Sequence, residues 1–209
     1  MQILLRTFFS ALLWAVVACA GPAWAQGEPS VREFFASVPL TLFENTPEGL
    51  SDEERQELLE LGTSRYWKIV DESQFSLTLE SLPFGESVVF VRLFPQKSQG
   101  GGQAFVVGAI GTRSTSMCTL EMWREDKNGR MVPEDTPSEP PITDFFTPKT
   151  RIPTDVEPTV LICLGAQGLE AMPIFWNASG MAYIPVDSKV YFVWTGTGFE
   201  KRVQAHGAE

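Results

Sequence analysis

The chain has 209 residues, 44% of them hydrophobic and 11% aromatic, and its formal net charge is −10 at pH 7. This content of apolar and aromatic side chains is typical of a packed domain and argues against intrinsic disorder. The acidic balance disfavours contact with phosphate backbones and anionic headgroups, so we expect no nucleic-acid partner and no electrostatic binding to membranes.

The first 25 residues have the layout of a secretory signal peptide. Arg6 supplies a positive charge, residues 8–17 form an apolar run, and Ala23-Trp24-Ala25 is a small-x-small cleavage signature. The run is shorter than the ~20 apolar residues that cross a bilayer, so no membrane span is predicted. We therefore expect cleavage between Ala25 and Gln26 and a periplasmic or secreted protein.

Cleavage at this point removes 25 of the 209 residues and leaves a chain of 184, over residues 26–209. Arg6 is the only charged residue lost, so the net charge changes from −10 to −11. This length suits one domain or two small ones, and it is enough to bury a hydrophobic core without disulfides or metals.

A second interpretation competes for the same segment. Val16-Val17-Ala18-Cys19 fits a loose lipobox, in which Cys19 is acylated and becomes the new N-terminus. A lipid anchor at Cys19 would then hold the domain at a membrane surface. The cleavage site at Ala25 is the better formed of the two.

Two short helices are predicted at the start of the mature chain. Ser30 and Glu33 have the spacing of a capping box, and the helix they begin ends before Pro39. Ser51 and Glu54 form a second capping box, whose helix runs to Leu61 with Gly62 as the C-terminal stop.

From Trp67 onward the hydrophobic period changes from helical to alternating, which predicts strands. The segment 126–129, Asp-Lys-Asn-Gly, is typical of a turn between two of them. The predicted strands of this part cover residues 75–80, 88–91, 105–107, 118–123 and 131–132.

Residues 133–158 interrupt the strands with seven prolines. Proline at this density cannot join a hydrogen-bonded ladder, so we expect a Pro-rich excursion or linker. Phe145 and Phe146 lie inside it and are expected to dock onto the core.

Strands resume after the excursion at 159–164, 171–176, 181–186 and 189–194, with a terminal hairpin at 194–199 and a frayed tail at 205–209. Short turns between successive strands favour antiparallel pairing. The predicted class is α+β, mainly antiparallel β, with two short N-terminal helices followed by a meander-like antiparallel sheet.

Two cysteines remain after cleavage, Cys118 and Cys163. In an oxidising compartment they can form a disulfide, although two buried free thiols fit their apolar surroundings equally well. Their spacing matches neither a thioredoxin-like motif nor a zinc site.

The sequence contains no recognisable catalytic, cofactor or metal constellation. His206 is the one histidine and lies three residues from the end, a poor position for a catalytic base. Glu121, Glu125 and Asp126 are close in sequence and could supply paired carboxylates, but a solvated face with a turn aspartate explains them better. We therefore predict no catalytic residue, no cofactor and no metal.

Three aromatic residues near the C-terminus also have two readings. Tyr191, Trp194 and Phe199 could form an exposed binding platform. Packing within the core and the terminal hairpin is the commoner use of such residues.

A few packing and turn residues carry a resemblance to a known family. Phe34-Phe35 is followed by Pro39 and Leu42, and the chain ends in Trp194-x-Gly-x-Gly-Phe199 after a β-rich middle. This layout resembles a family of uncharacterised exported proteins of the Bacteroides group, domain-of-unknown-function family 3256, over nearly all of the mature chain. The resemblance implies a periplasmic or envelope setting and brings no functional residues with it.

Two hypotheses for function follow. The first is a non-enzymatic envelope protein that binds a protein partner through a sheet face or the Pro-rich excursion. The alternative is a hydrolase that uses carboxylates such as Glu121 and Glu125 on glycans or peptides. A pocket with two facing carboxylates would favour the second, and a flat exposed apolar patch would favour the first.

Overall fold

The computed structural model describes residues 30–82, 87–95, 106–114, 117–126, 128–148, 150–166 and 168–206. The predicted signal peptide, its cleavage site at Ala25 and Gln26, and Cys19 lie outside the described residues. None of the helices in these ranges is long and apolar enough to cross a membrane.

The described part begins with two α-helices separated by a 3-10 turn. Helix α1 spans Val31–Ser37, the 3-10 helix spans Thr41–Asn45, and α2 spans Asp52–Leu61. The capping box at Ser51 and Glu54 is complete. At α1, Ser30 instead accepts from the N–H of Arg32, one residue earlier than the predicted box requires.

The strands form two antiparallel sheets, which confirms the predicted class of α+β, mainly antiparallel β. Sheet 1 is a six-stranded meander in chain order: β1 Trp67–Glu72, β2 Ser76–Ser81, β3 Val88–Pro95, β4 Val106–Arg113, β5 Cys118–Glu125 and β6 Met131–Pro133. Sheet 2 contains β7 Glu157–Gly165, β8 Gly168–Asn177, β9 Gly180–Ala182, β10 Ser188–Trp194 and β11 Phe199–Ala205. Its order is β11-β10-β8-β7, with β9 paired to β8.

Three layers result, and each boundary between layers is an apolar core. The helices cover one face of sheet 1, where Phe35, Phe43 and Trp67 are fully buried. Sheet 2 covers the opposite face, where Phe94, Leu164 and Phe192 pack together.

Strand β4 lies in the middle layer and carries glycine where each neighbouring layer comes closest. A methyl group on Gly108 would overlap the ring of Phe34 in α1. A Cβ on Gly111 would lie 2.6 Å from Cβ of Leu164 in sheet 2. The missing side chains thus let a helix and a second sheet approach the same strand from opposite sides.

The sheets are also linked covalently. Cys118 at the start of β5 and Cys163 in β7 form a disulfide with a Cα–Cα distance of 5.7 Å. Both cysteines are buried.

The Pro-rich segment is an ordered excursion, but it is shorter than predicted. Pro133 closes β6, and Pro158 lies in β7, which is an edge strand where a missing N–H is tolerated. Within the excursion a second 3-10 helix spans Ile142–Phe145, and Phe145 docks into the core between the sheets with 1% exposure.

Two expectations for the C-terminal part are wrong. The strand predicted over 181–186 ends at Ala182, because Pro185 follows shortly after and cannot donate to a ladder. The expected frayed tail does not begin at Ala205, which pairs with Ser188 in the β10–β11 ladder. The backbone N–H of His206 then donates to the Asp187 carbonyl at 2.8 Å, and residues 207–209 lie outside the described residues.

Candidate functional site

A groove of about 1040 Å³ lies between the two sheets. We call it the inter-sheet groove. Ser73 and Ser76 at the β1–β2 turn, together with Arg92 on β3, form its sheet 1 side. Strands β8 and β10 supply the opposite wall.

Strand alternation determines which side chains face the groove. On β3, Phe90 and Phe94 belong to the core between the sheets, and Arg92 lies between them on the same face. On sheet 2 the apolar wall is built from side chains of β8 and β10: Leu169, Ala171, Val190 and Phe192. These four side chains are buried, so the groove borders the core between the sheets and has a cation beside it.

Arg92 has no hydrogen-bond or ion-pair partner among the described residues, and its Nε–H is buried without an acceptor. Burial lowers the pKa of the guanidinium, and the charge of Asp71 acts in the opposite direction. Arginine nevertheless stays protonated at physiological pH. A charged donor that is partly desolvated and unpaired is costly, and such groups call for an explanation.

The other ionisable side chains of the groove are Glu170, Lys189, Tyr191 and His206. Glu170 is paired with Arg113 of β4 at 3.1 Å, so its charge is already compensated. The remaining charged groups of the groove are basic, although the whole chain is acidic.

Asp187 orders one end of the groove. Its carboxylate accepts from the N–H of Thr147 at 2.8 Å and from the hydroxyl of Thr150 at 2.6 Å. Its own N–H donates to the Phe145 carbonyl at 2.9 Å. These bonds attach the excursion to sheet 2 beside groove residues Val186 and Ser188.

The bonds from Thr147 and Thr150 hold the pKa of Asp187 below its usual value. A carboxyl whose pKa is lower in the folded than in the unfolded state stabilises the fold at pH values above its unfolded pKa of about 3.9. This contribution is lost as the pH falls through the lower pKa of the folded state. We therefore expect Asp187→Asn to lower the melting temperature at neutral pH, and the difference from wild type to shrink toward about pH 3. Thermal unfolding at several pH values measures this, with the exposed Asp155→Asn as the matched control. A difference that is constant with pH would contradict this expectation.

The structure does not bring the predicted carboxylates together. Glu121 accepts from the Thr41 hydroxyl at 2.9 Å and from the Trp123 indole at 3.2 Å. Glu125 lies four residues further along the same strand, about 13 Å away at the usual rise per residue. Asp126 stabilises its turn by accepting from the N–H groups of Asn128 and Arg130, which lower its pKa. Facing carboxylates of a glycosidase lie closer than this, at roughly 5–9.5 Å.

Of the three aromatic residues near the C-terminus, two pack against the core and the third lines the groove. Trp194 and Phe199 pack against Phe94, with ring centroids 5.7 and 4.9 Å from it. The Trp194 indole N–H also donates to the Pro95 carbonyl at 2.7 Å. Tyr191 is half-buried and lines the groove. Trp194 and Phe199 thus do not form an exposed platform.

A smaller cleft of about 380 Å³ is lined by residues that include Trp194 and Phe199. Its arginine, Arg124, is paired with Glu134 at 2.7 Å. In the described ranges no group of three or more histidine, cysteine or acidic side chains is arranged to hold a metal ion.

Comparison of the chain with protein-family models, with curated proteins and with solved structures finds no match. The resemblance to the exported Bacteroides-group family therefore stays a prediction. The sequence patterns predict neither the inter-sheet groove nor a role for Arg92. The sequence signal that marks this position is a single charged residue inside the apolar run 88–94.

Proposed function

We propose that this is an exported, non-enzymatic binding protein whose ligand site is the inter-sheet groove. The observation that carries the proposal is a groove of about 1040 Å³ whose lining combines apolar side chains with polar ones, among them Arg92. Small-molecule sites in proteins have this character and volumes of roughly 300–1,000 Å³. The layout of residues 1–25 supports export, and the mass of the mature N-terminus separates cleavage at Ala25 from acylation at Cys19.

A substitution that fills the groove tests the binding proposal. Ser76→Trp places an indole in the groove from the sheet 1 side without replacing a core residue. We expect it to weaken binding of the neutral fluorescent probe 1-N-phenylnaphthylamine by about tenfold or more. Fluorescence titration of the mature chain measures the dissociation constant.

Thr78→Trp is the matched control, because Thr78 lies on the same face of β2 but outside the groove. It should bind the probe as wild type does. No probe binding by wild type, or equal losses in both variants, would refute the groove as a binding site.

A protein partner is the second candidate, and one surface feature favours it. On the β8–β9 hairpin, Trp176 and Met181 are cross-strand neighbours, and Tyr183 follows with 92% exposure. Exposed apolar side chains that lie together are a feature of protein-binding surfaces. The Pro-rich excursion is less suited to this role, because it buries Phe145 and Pro140 against its own domain.

A further inference from the structure

A ligand in the inter-sheet groove would have to pair with one guanidinium and to contact several apolar side chains. The buried Nε–H of Arg92 has no acceptor among the described residues, although the charge of Asp71 acts on the guanidinium. Glu170, the carboxylate among the groove residues, is already paired with Arg113. Lys189 and His206 add basic character at the rim. Charge complementarity therefore calls for an anionic group close to Arg92.

The remainder of the groove calls for an apolar body. Leu169, Val190 and Phe192 are already buried in the core between the sheets. The apolar lining that keeps part of its surface exposed includes Phe75, Pro173 and Val186. A ligand that was polar throughout would leave these side chains without favourable contacts, whereas an apolar chain gains about 25 cal/mol for each Å² it buries. The two requirements together describe an amphipathic anion.

The charge of the whole molecule limits how many negative charges the ligand carries. With a net charge of −10, the protein repels anions at long range, and it repels a dianion more strongly than a monoanion. One arginine also matches one carboxylate, which can accept two of its N–H groups at once.

We propose that the groove binds an amphipathic monocarboxylate, a single acyl chain whose head group is held by Arg92. This inference rests on the proposed function and adds to it the chemical class of the ligand. The carboxylate supplies the acceptor that the buried Nε–H of Arg92 lacks, and the acyl chain covers the partly exposed apolar side chains of the groove.

The test compares two probes that differ only in the head group, decanoate and 1-decanol. Isothermal titration or displacement of 1-N-phenylnaphthylamine gives both dissociation constants for the mature chain. Wild type should bind decanoate roughly tenfold or more tightly than decanol, the usual worth of a charge-assisted hydrogen bond in a partly buried site. Arg92→Met keeps an unbranched stem but removes the guanidinium, so it should abolish this preference, chiefly by weakening decanoate binding.

Arg151→Met is the matched control, because Arg151 is exposed and lies outside the groove. It should keep the wild-type preference for decanoate over decanol. Arg92→Lys should retain only part of that preference, because an ammonium lacks the planar fork of a guanidinium. Equal binding of the acid and the alcohol by wild type would overturn the inference and leave the binding proposal standing. An equal loss for both probes in Arg92→Met would also overturn it, as a sign of a structural role. If wild type bound 1-N-phenylnaphthylamine but neither decanoate nor decanol, this inference alone would fall, whereas failure of all three to bind would refute the proposed function itself.

Discussion

Replacing Cys118 and Cys163 by alanine is expected to lower the free energy of unfolding by about 4 kcal/mol, the chain-entropy value for a loop of this size. The two cysteines are separated by 45 positions, and the loop they close contains the whole Pro-rich excursion. Without the link, the unfolded chain regains the freedom of that segment. Urea denaturation of the oxidised protein and of the variant measures the difference.

Reduced wild type is the control that separates the covalent link from the loss of two sulfur atoms. Its stability should lie close to that of the alanine variant, because the buried side chains differ little in size. A loss below about 1 kcal/mol in both would show that the bond contributes little to stability.

Gly111→Val is expected to destabilise the fold by about 3 kcal/mol or more, at the upper end of overpacking costs. A Cβ at this position would lie 2.6 Å from Cβ of Leu164, 3.1 Å from the Thr119 carbonyl and 3.3 Å from the Leu164 nitrogen. Two of these three neighbours are backbone atoms and the third is a Cβ, so none can turn away as the end of a side chain can. The sheets must separate, and chemical denaturation records the cost.

Two variants serve as comparisons. Gly198→Ala places a methyl group where nothing lies within 4 Å, so it should be neutral or slightly stabilising. Gly108→Ala drives a methyl group into the Phe34 ring, and here Phe34→Leu in the same chain should recover part of the loss. If Gly111→Val unfolded at the wild-type denaturant concentration, the close approach at this strand would be refuted.

Local patterns predict the elements of this fold well. Ser51 and Glu54 define the start of α2, and Gly62 ends it in a left-handed conformation with φ of 77°. Alternation of Leu77 and Leu79 with polar neighbours predicts β2, where both leucines are buried. These signals depend on a few residues of neighbouring sequence, which is why the sequence alone contains them.

The division of the strands into two sheets depends on contacts between residues that are far apart in the chain. Gly111 and Leu164 meet across the sheets although 53 positions separate them in the sequence. The groove is equally non-local, because Arg92 and Val190 line it from different sheets. A charged residue in an apolar run indicates an unusual environment, but only the second sheet shows which face of β3 meets it.

At His206 the sequence predicts less order than the structure has. Its position three residues from the end predicts a mobile tail, yet its N–H is bonded to Asp187 and it lies at the rim of the groove. The β10–β11 hairpin carries ordered pairing to Ala205, and sequence position alone does not reveal how far a ladder continues.

Each sheet is built from one continuous stretch of chain, sheet 1 from residues 67–133 and sheet 2 from residues 157–205. The N-terminal part of a chain folds first, so the first meander and its helices can assemble before the second sheet is available. During that interval Cys118 has no partner, and the apolar face with Phe90 and Phe94 is bare. The nascent half-molecule is thus the stage at which this protein is most exposed to mispairing of its thiol and to self-association.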